Sequence, residues 1–180
     1  MPRTFSKRLV IDASIASASG GEKATFPTSK HCRDFLKEVL RICHRVVWTE
    51  EIISEWNRHQ SNFARSWRAT MDGKRNKVFP LKEQTNANLR QRIREAALHE
   101  KDWQEMEKDC HLIEAALAAD LAVLSVEENV RRRFARIAPH VEELRTIMWV
   151  NPAKEAEHCM EWLSRGASPE PERRFGFPAE

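Results

Sequence analysis

Four short, mainly apolar runs constrain most strongly how this chain can fold. They lie at residues 9–11, 46–48, 121–124 and 146–150. Each run is too short for a helix and is apolar at successive positions, which is typical of a strand covered on both sheet faces. Stretches with apolar residues at helical spacing, such as Phe35, Leu36 and Val39, separate the runs. Strands that alternate with helices predict an α/β fold with a parallel sheet and right-handed crossovers.

The length of 180 residues suits a single domain with a sizeable core. We expect this domain to cover residues 1–166, with residues 57–107 as a basic helical arm inserted in it. Residues 167–180 are rich in Pro and charge, which predicts a disordered C-terminal tail. Before that tail, Asn151 and Pro152 are expected to open the last helix.

Composition and charge exclude some classes of protein. The formal net charge of +3 is too small to demand a nucleic-acid partner by itself. No stretch approaches the roughly 18 apolar residues of a membrane span, and the basic N-terminal residues are not followed by a signal-peptide core. We therefore expect a cytoplasmic protein that has no membrane partner.

Carboxylates follow the predicted strands at the edge where ligands collect in open α/β sheets. Asp12 ends the first strand, and Glu127 comes just after the third. Glu55 lies on the helix after the second strand, and Asp109 stands at the head of an Ala-rich helix. We expect the fold to bring these four acids together, because the carboxyl ends of parallel strands share one edge.

Two further acids remain alternatives: Glu51 shares a helix face with Glu55, and Glu128 directly follows Glu127. Taken singly, each acid is explained as well by a helix dipole or by solvation. Taken together, clustered carboxylates repel one another unless a cation neutralises them. The sequence therefore predicts a Mg²⁺ or Mn²⁺ site, since these hard ions take oxygen ligands and assist phosphate chemistry.

Four segments resemble, in chain order, the motifs of PIN-domain nucleases. They are residues 10–14, 48–55, 108–117 and 123–127. The first reads Val-Ile-Asp-Ala-Ser, which is similar to the family's opening strand followed by Asp-x-Ser/Thr. Glu127 stands where the family usually has Asp, and its longer side chain leaves Glu128 or a water bridge as a substitute. The resemblance covers about residues 8–165, excluding much of the segment 57–107.

The resemblance implies a PIN-like three-layer fold, in which helices flank a central parallel sheet of four or five strands, and a metal-dependent endoribonuclease activity. It implies that the metal, Mg²⁺ or Mn²⁺, is held by Asp12, Asp109 and Glu127, while Ser14 and Ser125 orient ligands or waters from behind. Glu55 would complete the site directly or through water. The implied catalytic residues are Asp12, Glu55, Asp109 and Glu127.

Two basic clusters are candidates for binding RNA. Arg131, Arg132 and Arg133 come shortly after Glu127, where they would contact phosphates beside the metal. Lys74 and Arg75 belong to the basic arm. A charged run on a helix is just as often a solvated face.

We therefore expect hydrolysis of single-stranded or structured RNA, either by the toxin of a toxin–antitoxin pair or by an RNA-processing enzyme. An antitoxin protein and a second copy of the chain are the further partners considered. The alternative is a catalytically weak PIN-like module that binds RNA or protein, because Glu127 replaces Asp. A phosphatase with Asp12 as nucleophile is a third hypothesis, but Ser14 stands where that class normally has a second Asp. His111, close to Asp109, is interpreted as a structural or partner contact.

Overall fold

The computed structural model describes residues 6–21 and 23–177. Its centre is one sheet of five parallel strands, in the order β3-β2-β1-β4-β5. The strands are β1 (Arg8–Ile11), β2 (Arg45–Trp48), β3 (Val78–Pro80), β4 (Ala122–Leu124) and β5 (Met148–Val150). Helices flank this sheet, and the predicted α/β fold is confirmed.

The helices connect and cover the strands. They are α1 (Ala13–Ala18), α2 (Pro27–Arg41), α3 (Glu50–His59), α4 (Asn62–Asp72), α5 (Ala87–Ala96), α6 (Glu100–Leu117), α7 (Glu128–Ile137) and α8 (Cys159–Ser164). Successive residues of β1, such as Leu9, Val10 and Ile11, are fully buried because both faces of the sheet are covered. In the part of the chain that is described, no helix is long and apolar enough to cross a membrane.

Helix α3 begins where local sequence chemistry favours it. The Thr49 hydroxyl accepts a hydrogen bond from the Ile52 N–H (3.2 Å), and Glu50 and Glu51 place negative charge in the first turn. The Trp56 indole N–H then ties α3 to the end of β1 by donating to the Ile11 carbonyl (2.9 Å). These contacts fix α3 beside the residue that follows β1.

The segment 57–107, which we predict as a helical arm within the single domain, contains helices but also contributes a strand and core side chains. It contains β3, which pairs with β2 in the register Val46↔Val78 and forms one edge of the sheet. It also contains Trp67, which is buried and stacks on Trp56 (5.6 Å between ring centroids). The sequence pattern does not reveal β3, because the strand has only three residues, ends in Pro80 and lies in a stretch rich in basic residues.

The C-terminal segment is also ordered in its described part, residues 167–177, which corrects the prediction of a disordered tail. A 3-10 turn spans Pro171–Arg173, and Arg174 forms an antiparallel bridge with Met148 of β5. Phe175 is buried against Trp149, with 5.7 Å between ring centroids. The burial of Phe175 thus orders a segment whose composition is typical of disorder. Residues 178–180 lie outside the described residues.

The last helix starts later than Asn151-Pro152 predicts. After β5 the chain forms a 3-10 turn, Glu155–Glu157, and α8 begins only at Cys159. His158 between them has a φ of 44°, in the left-handed region, and a right-handed helix cannot run through it. The predicted helix is therefore divided at His158.

Candidate active site

The four acids expected to meet do line one cavity, with a volume of about 350 Å³, at the carboxyl edge of the sheet. Asp12 and Glu127 reach it from the ends of β1 and β4, whereas Glu55 and Asp109 reach it from α3 and α6. The described residues that line it are Asp12, Ala13, Ser14, Ser17, Glu55, His59, Glu105, Lys108, Asp109, Glu127 and Val130.

Asp12 is the most rigidly held of these acids and is only 5% exposed. Its backbone N–H donates to the Leu124 carbonyl (2.9 Å), which extends the pairing of β1 with β4 by one residue. Its Oδ2 accepts hydrogen bonds from the hydroxyls of Ser14 (2.5 Å) and Ser125 (2.6 Å). The structure thus places both predicted serines on one carboxylate oxygen, and no hydrogen bond from a described residue reaches Oδ1.

Asp109 lies in the middle of α6 and not at the head of a helix, as the sequence analysis expected. The helix begins at Glu100 because Trp103 and Met106 continue the buried face toward the N-terminus. Asp109 therefore gains nothing from a helix N-terminus. Burial, followed by the charge of Asp12, raises the pKa of Asp109 to about 7.

A fifth acid, Glu105, lines the same cavity and was missed by the sequence analysis. It lies four residues before Asp109 on α6, so the two share a helix face. The spacing predicts Glu105 as a cavity residue once the helix is known to begin at Glu100. Partial burial, followed by the charges of Asp12 and Glu105, raises the pKa of Glu127.

The two alternative acids, Glu128 and Glu51, do not line the cavity. Glu128 accepts hydrogen bonds from Lys154 Nζ (2.6 Å) and Asn151 Nδ2 (2.9 Å), and it is not among the residues that line the cavity. Glu51 is exposed and is also absent from the lining. The geometry therefore favours Glu55 and Glu127 over these neighbours.

His111 is buried beside the acids, 2% exposed. Its Nδ1 lies 2.8 Å from the Lys108 carbonyl oxygen, and its Nε2 lies 3.3 Å from Glu55 Oε2. Burial alone lowers the pKa of His111, but the contact with Glu55 and the nearby acidic charges outweigh it, so the net shift is upward. Burial likewise raises the pKa of Glu55, but the His111 contact outweighs it and the net shift is downward.

The three arginines expected to bind RNA are engaged within α7 and by its neighbours. Arg131 forms ion pairs with Glu157 and Glu128, and Arg133 Nε lies 2.8 Å from Asp102 Oδ1. Arg132 is exposed and donates to the side chain of Asn129. None of the three is among the residues that line the cavity.

The other predicted RNA contacts, Lys74 and Arg75, precede β3 and are exposed. Because all five strands are parallel, residues before a strand lie at the edge opposite the acids. The basic side chains that do line the cavity are Lys108 and His59. Lys108 Nζ lies 3.3 Å from Glu105 Oε1, an exposed pair that is readily exchanged for another anion.

The lining fits a hard divalent ion in its chemistry, since its carboxylates supply oxygen ligands and none of its described residues has a thiol. Across residues 6–21 and 23–177, no group of three or more His, Cys, Asp or Glu side chains could hold a metal ion as arranged. Acids that face each other without a cation between them repel, and the raised pKa of Asp109 reflects that repulsion together with burial. We conclude that the donors suit Mg²⁺ or Mn²⁺ in their chemistry, since such an ion can bind through one or two carboxylates and keep several waters.

The arrangement as a whole combines clustered carboxylates, a carboxylate fixed by two hydroxyls, and two basic side chains around an open cavity. Such a set can bind a cation, orient water and contact an anionic substrate. Comparisons of the chain with protein-family models and with curated proteins find no match.

Proposed function

We propose that this protein is a Mg²⁺- or Mn²⁺-dependent ribonuclease that hydrolyses RNA phosphodiester bonds. One observation carries the proposal: Asp12, Glu55, Asp109 and Glu127, which are far apart in sequence, line one cavity at the carboxyl edge of a parallel sheet. The resemblance of their motifs to those of PIN-domain nucleases supports the same activity. An antitoxin partner and a homodimer stay predictions from the sequence.

Asp12, Asp109 and Glu127 would hold the metal ion, and Glu55 would complete the site directly or through a water molecule. When bound, the ion lowers the pKa of a water molecule and offsets the charge that builds on the phosphate. Ser14 and Ser125 keep the Asp12 carboxylate in one orientation. The elevated pKa of Asp109 makes this carboxylate a group that a cation would strongly stabilise in its charged form.

The lining also suggests how the substrate is recognised. Lys108 and His59 are suited to contact phosphates, and the only apolar residues in the lining are Ala13 and Val130. No Phe or Trp among the described residues lines the cavity, so the His59 imidazole is the one ring of the described lining on which a base could stack. The cavity therefore suits the sugar–phosphate backbone of RNA.

One observation favours the alternative of a weakly catalytic PIN-like module that binds RNA or protein. In the described residues the acids do not form a metal-holding group as arranged, and Glu127, the departure from the usual Asp, is exposed. A module of this kind would bind RNA through the same basic side chains without cleaving it.

The test is cleavage of a mixed pool of labelled single-stranded RNA in Mn²⁺ or in EDTA. Asp109→Asn removes a proposed ligand, and Glu107→Gln, an exposed acid of the same helix outside the cavity, is the matched control. We expect metal-dependent cleavage that Asp109→Asn lowers at least about 100-fold, since a metal contributes several kcal/mol to such a step. The Glu107→Gln variant should cleave like the wild type.

Cleavage that survives Asp109→Asn unchanged would refute the proposal. RNA binding without cleavage by any variant would support the weakly catalytic module.

A further inference from the structure

His111 is a buried polar side chain that the proposed chemistry leaves without a role. It belongs to α6, two residues after Asp109, and its ring reaches toward α3. Its neighbours there are acids: Glu55 Oε2 lies 3.3 Å from Nε2, and Glu51 Oε1 lies 3.7 Å from Nδ1. The ring thus connects two helices that both contribute acids to the cavity.

The two ring nitrogens are distinguished by their partners. The Lys108 carbonyl can only accept, so Nδ1 of His111 carries a proton and donates to it (2.8 Å). Nε2 is buried and close to Glu55, but not aligned for a hydrogen bond. The ring therefore touches one oxygen of the Glu55 carboxylate and limits where that side chain can lie.

Glu55 depends on this contact. Within the described chain, no other side chain forms a hydrogen bond or ion pair with the Glu55 carboxylate. Among the described residues, the position of this carboxylate therefore depends on His111 more than on any other side chain.

We propose that His111 is a positioning residue that holds the Glu55 side chain at the cavity wall through its contact with Oε2 (3.3 Å). This rests on the proposed function, in which Glu55 is one of the active-site acids. His111 does not touch the substrate, and its effect on the site passes through Glu55 alone.

The test compares two polar replacements of His111 in the full chain at one fixed pH. His111→Asn keeps a donor for the Lys108 carbonyl but is too short to reach Glu55, whereas the amide of His111→Gln reaches about as far as Nε2. Mn²⁺ binding is measured by the electron paramagnetic resonance signal of the free ion. Thermal unfolding of each variant shows first that it is folded.

We expect His111→Asn to weaken Mn²⁺ binding by about 10-fold, a typical effect for a group that orients a ligand from behind. His111→Gln should bind Mn²⁺ much more nearly like the wild type. In a Glu55→Gln background, His111→Asn should have little further effect, because residues that act as a unit are not additive.

Three outcomes would overturn the proposal. Independent, additive effects of His111→Asn and Glu55→Gln would mean that the histidine does not act through Glu55. Tighter Mn²⁺ binding by His111→Asn in both backgrounds would mean that it acts only as a positive charge. If the wild type binds no Mn²⁺, the proposed function fails and this inference fails with it, whereas Mn²⁺ binding without coupling defeats the inference alone.

Discussion

Asp109 shows that clustering carboxylates at one site disfavours their charged forms. It lies in a partly buried position where Asp12, Glu55 and Glu127 all disfavour its charged form, and its pKa rises to about 7. The position is unfavourable for folding but suited to binding a cation. Active sites commonly retain such destabilising residues because function requires them.

This conflict predicts an unusual dependence of stability on pH in the metal-free protein. The pKa of Asp109 is about 7 when folded and near 3.8 when unfolded, so its contribution is fully present below about pH 4 and is lost as pH rises through 7. The loss amounts to at most about 4 kcal/mol, at 1.36 kcal/mol per pH unit. Asp109→Asn has no such loss, so its advantage over the wild type should grow between pH 4 and pH 8.

Chemical denaturation in EDTA across this pH range checks the prediction. Glu107→Gln should follow the pH profile of the wild type, because Glu107 is an exposed residue of the same helix. Parallel profiles for Asp109→Asn and the wild type would show that the carboxylate is not under the inferred repulsion. Added Mn²⁺ should stabilise the wild type at pH 8 more than Asp109→Asn.

Local sequence chemistry predicts some of these residues and not others. Asp12, Ser14 and Ser125 were predictable because each lies at or near the end of a short apolar strand, where chain position alone sets location. Glu105 would follow from its spacing to Asp109 once α6 is known to begin at Glu100, but the role of His111 depends on how α6 lies across α3. That placement is a tertiary property which no window of sequence contains.

At the scale of elements, α6 organises the site. One part of it carries Glu105, Lys108 and Asp109 to the cavity, while Glu114 fastens the helix to α5. The Glu114 carboxylate receives two hydrogen bonds from Arg90 (2.8 and 2.7 Å) and is almost completely buried. The position of the cavity residues of α6 therefore depends partly on a contact outside the cavity.

We expect Glu114→Gln to lower the free energy of unfolding by about 2–3 kcal/mol, because it leaves the largely buried Arg90 without a counter-charge. The matched control is Glu100→Gln, whose partner Arg94 is mostly exposed, as is Glu100 itself. That change should cost less than about 1 kcal/mol. Urea denaturation at neutral pH measures both, and equal losses would contradict the assignment.

The elements that sequence reasoning misplaced share one physical cause. The strand β3 has three residues, and the start of α6 has no side-chain cap at His99, so neither has a strong local signal. Both are held by tertiary contacts, such as the pairing of Val46 with Val78. The strands β1, β2, β4 and β5 were predictable because their burial on both faces requires continuous apolar residues.

At the scale of the whole molecule, the parallel sheet separates two kinds of surface. The acids and Lys108 lie at the carboxyl edge, whereas Lys74 and Arg75 lie at the amino edge. A short RNA held at the cavity therefore has no reason to contact the second group. The small net charge of +3 leaves local placement as the determinant of binding.

We expect Lys108→Gln to weaken binding of a short single-stranded RNA, measured in the non-cleaving Asp109→Asn background. The slope of log affinity against log salt concentration should become shallower by about 0.7, because one phosphate contact is lost. The double change Lys74→Gln with Arg75→Gln should alter neither the affinity nor this slope. Titrations between low and moderate salt decide the matter, and a larger effect of the double change would place the RNA at the other edge.

The bridge between Arg174 and Met148 affects whether two copies of the protein can associate through the edges of their sheets. An uncovered edge strand offers its backbone as a template on which another chain can add a strand, a common route to aggregation. Here the C-terminal segment lies along β5, while β3 ends in Pro80 and its Val78 carbonyl is occupied by the Arg45 guanidinium. Both edges of the sheet are thus partly covered, which disfavours joining the sheets of two copies into one.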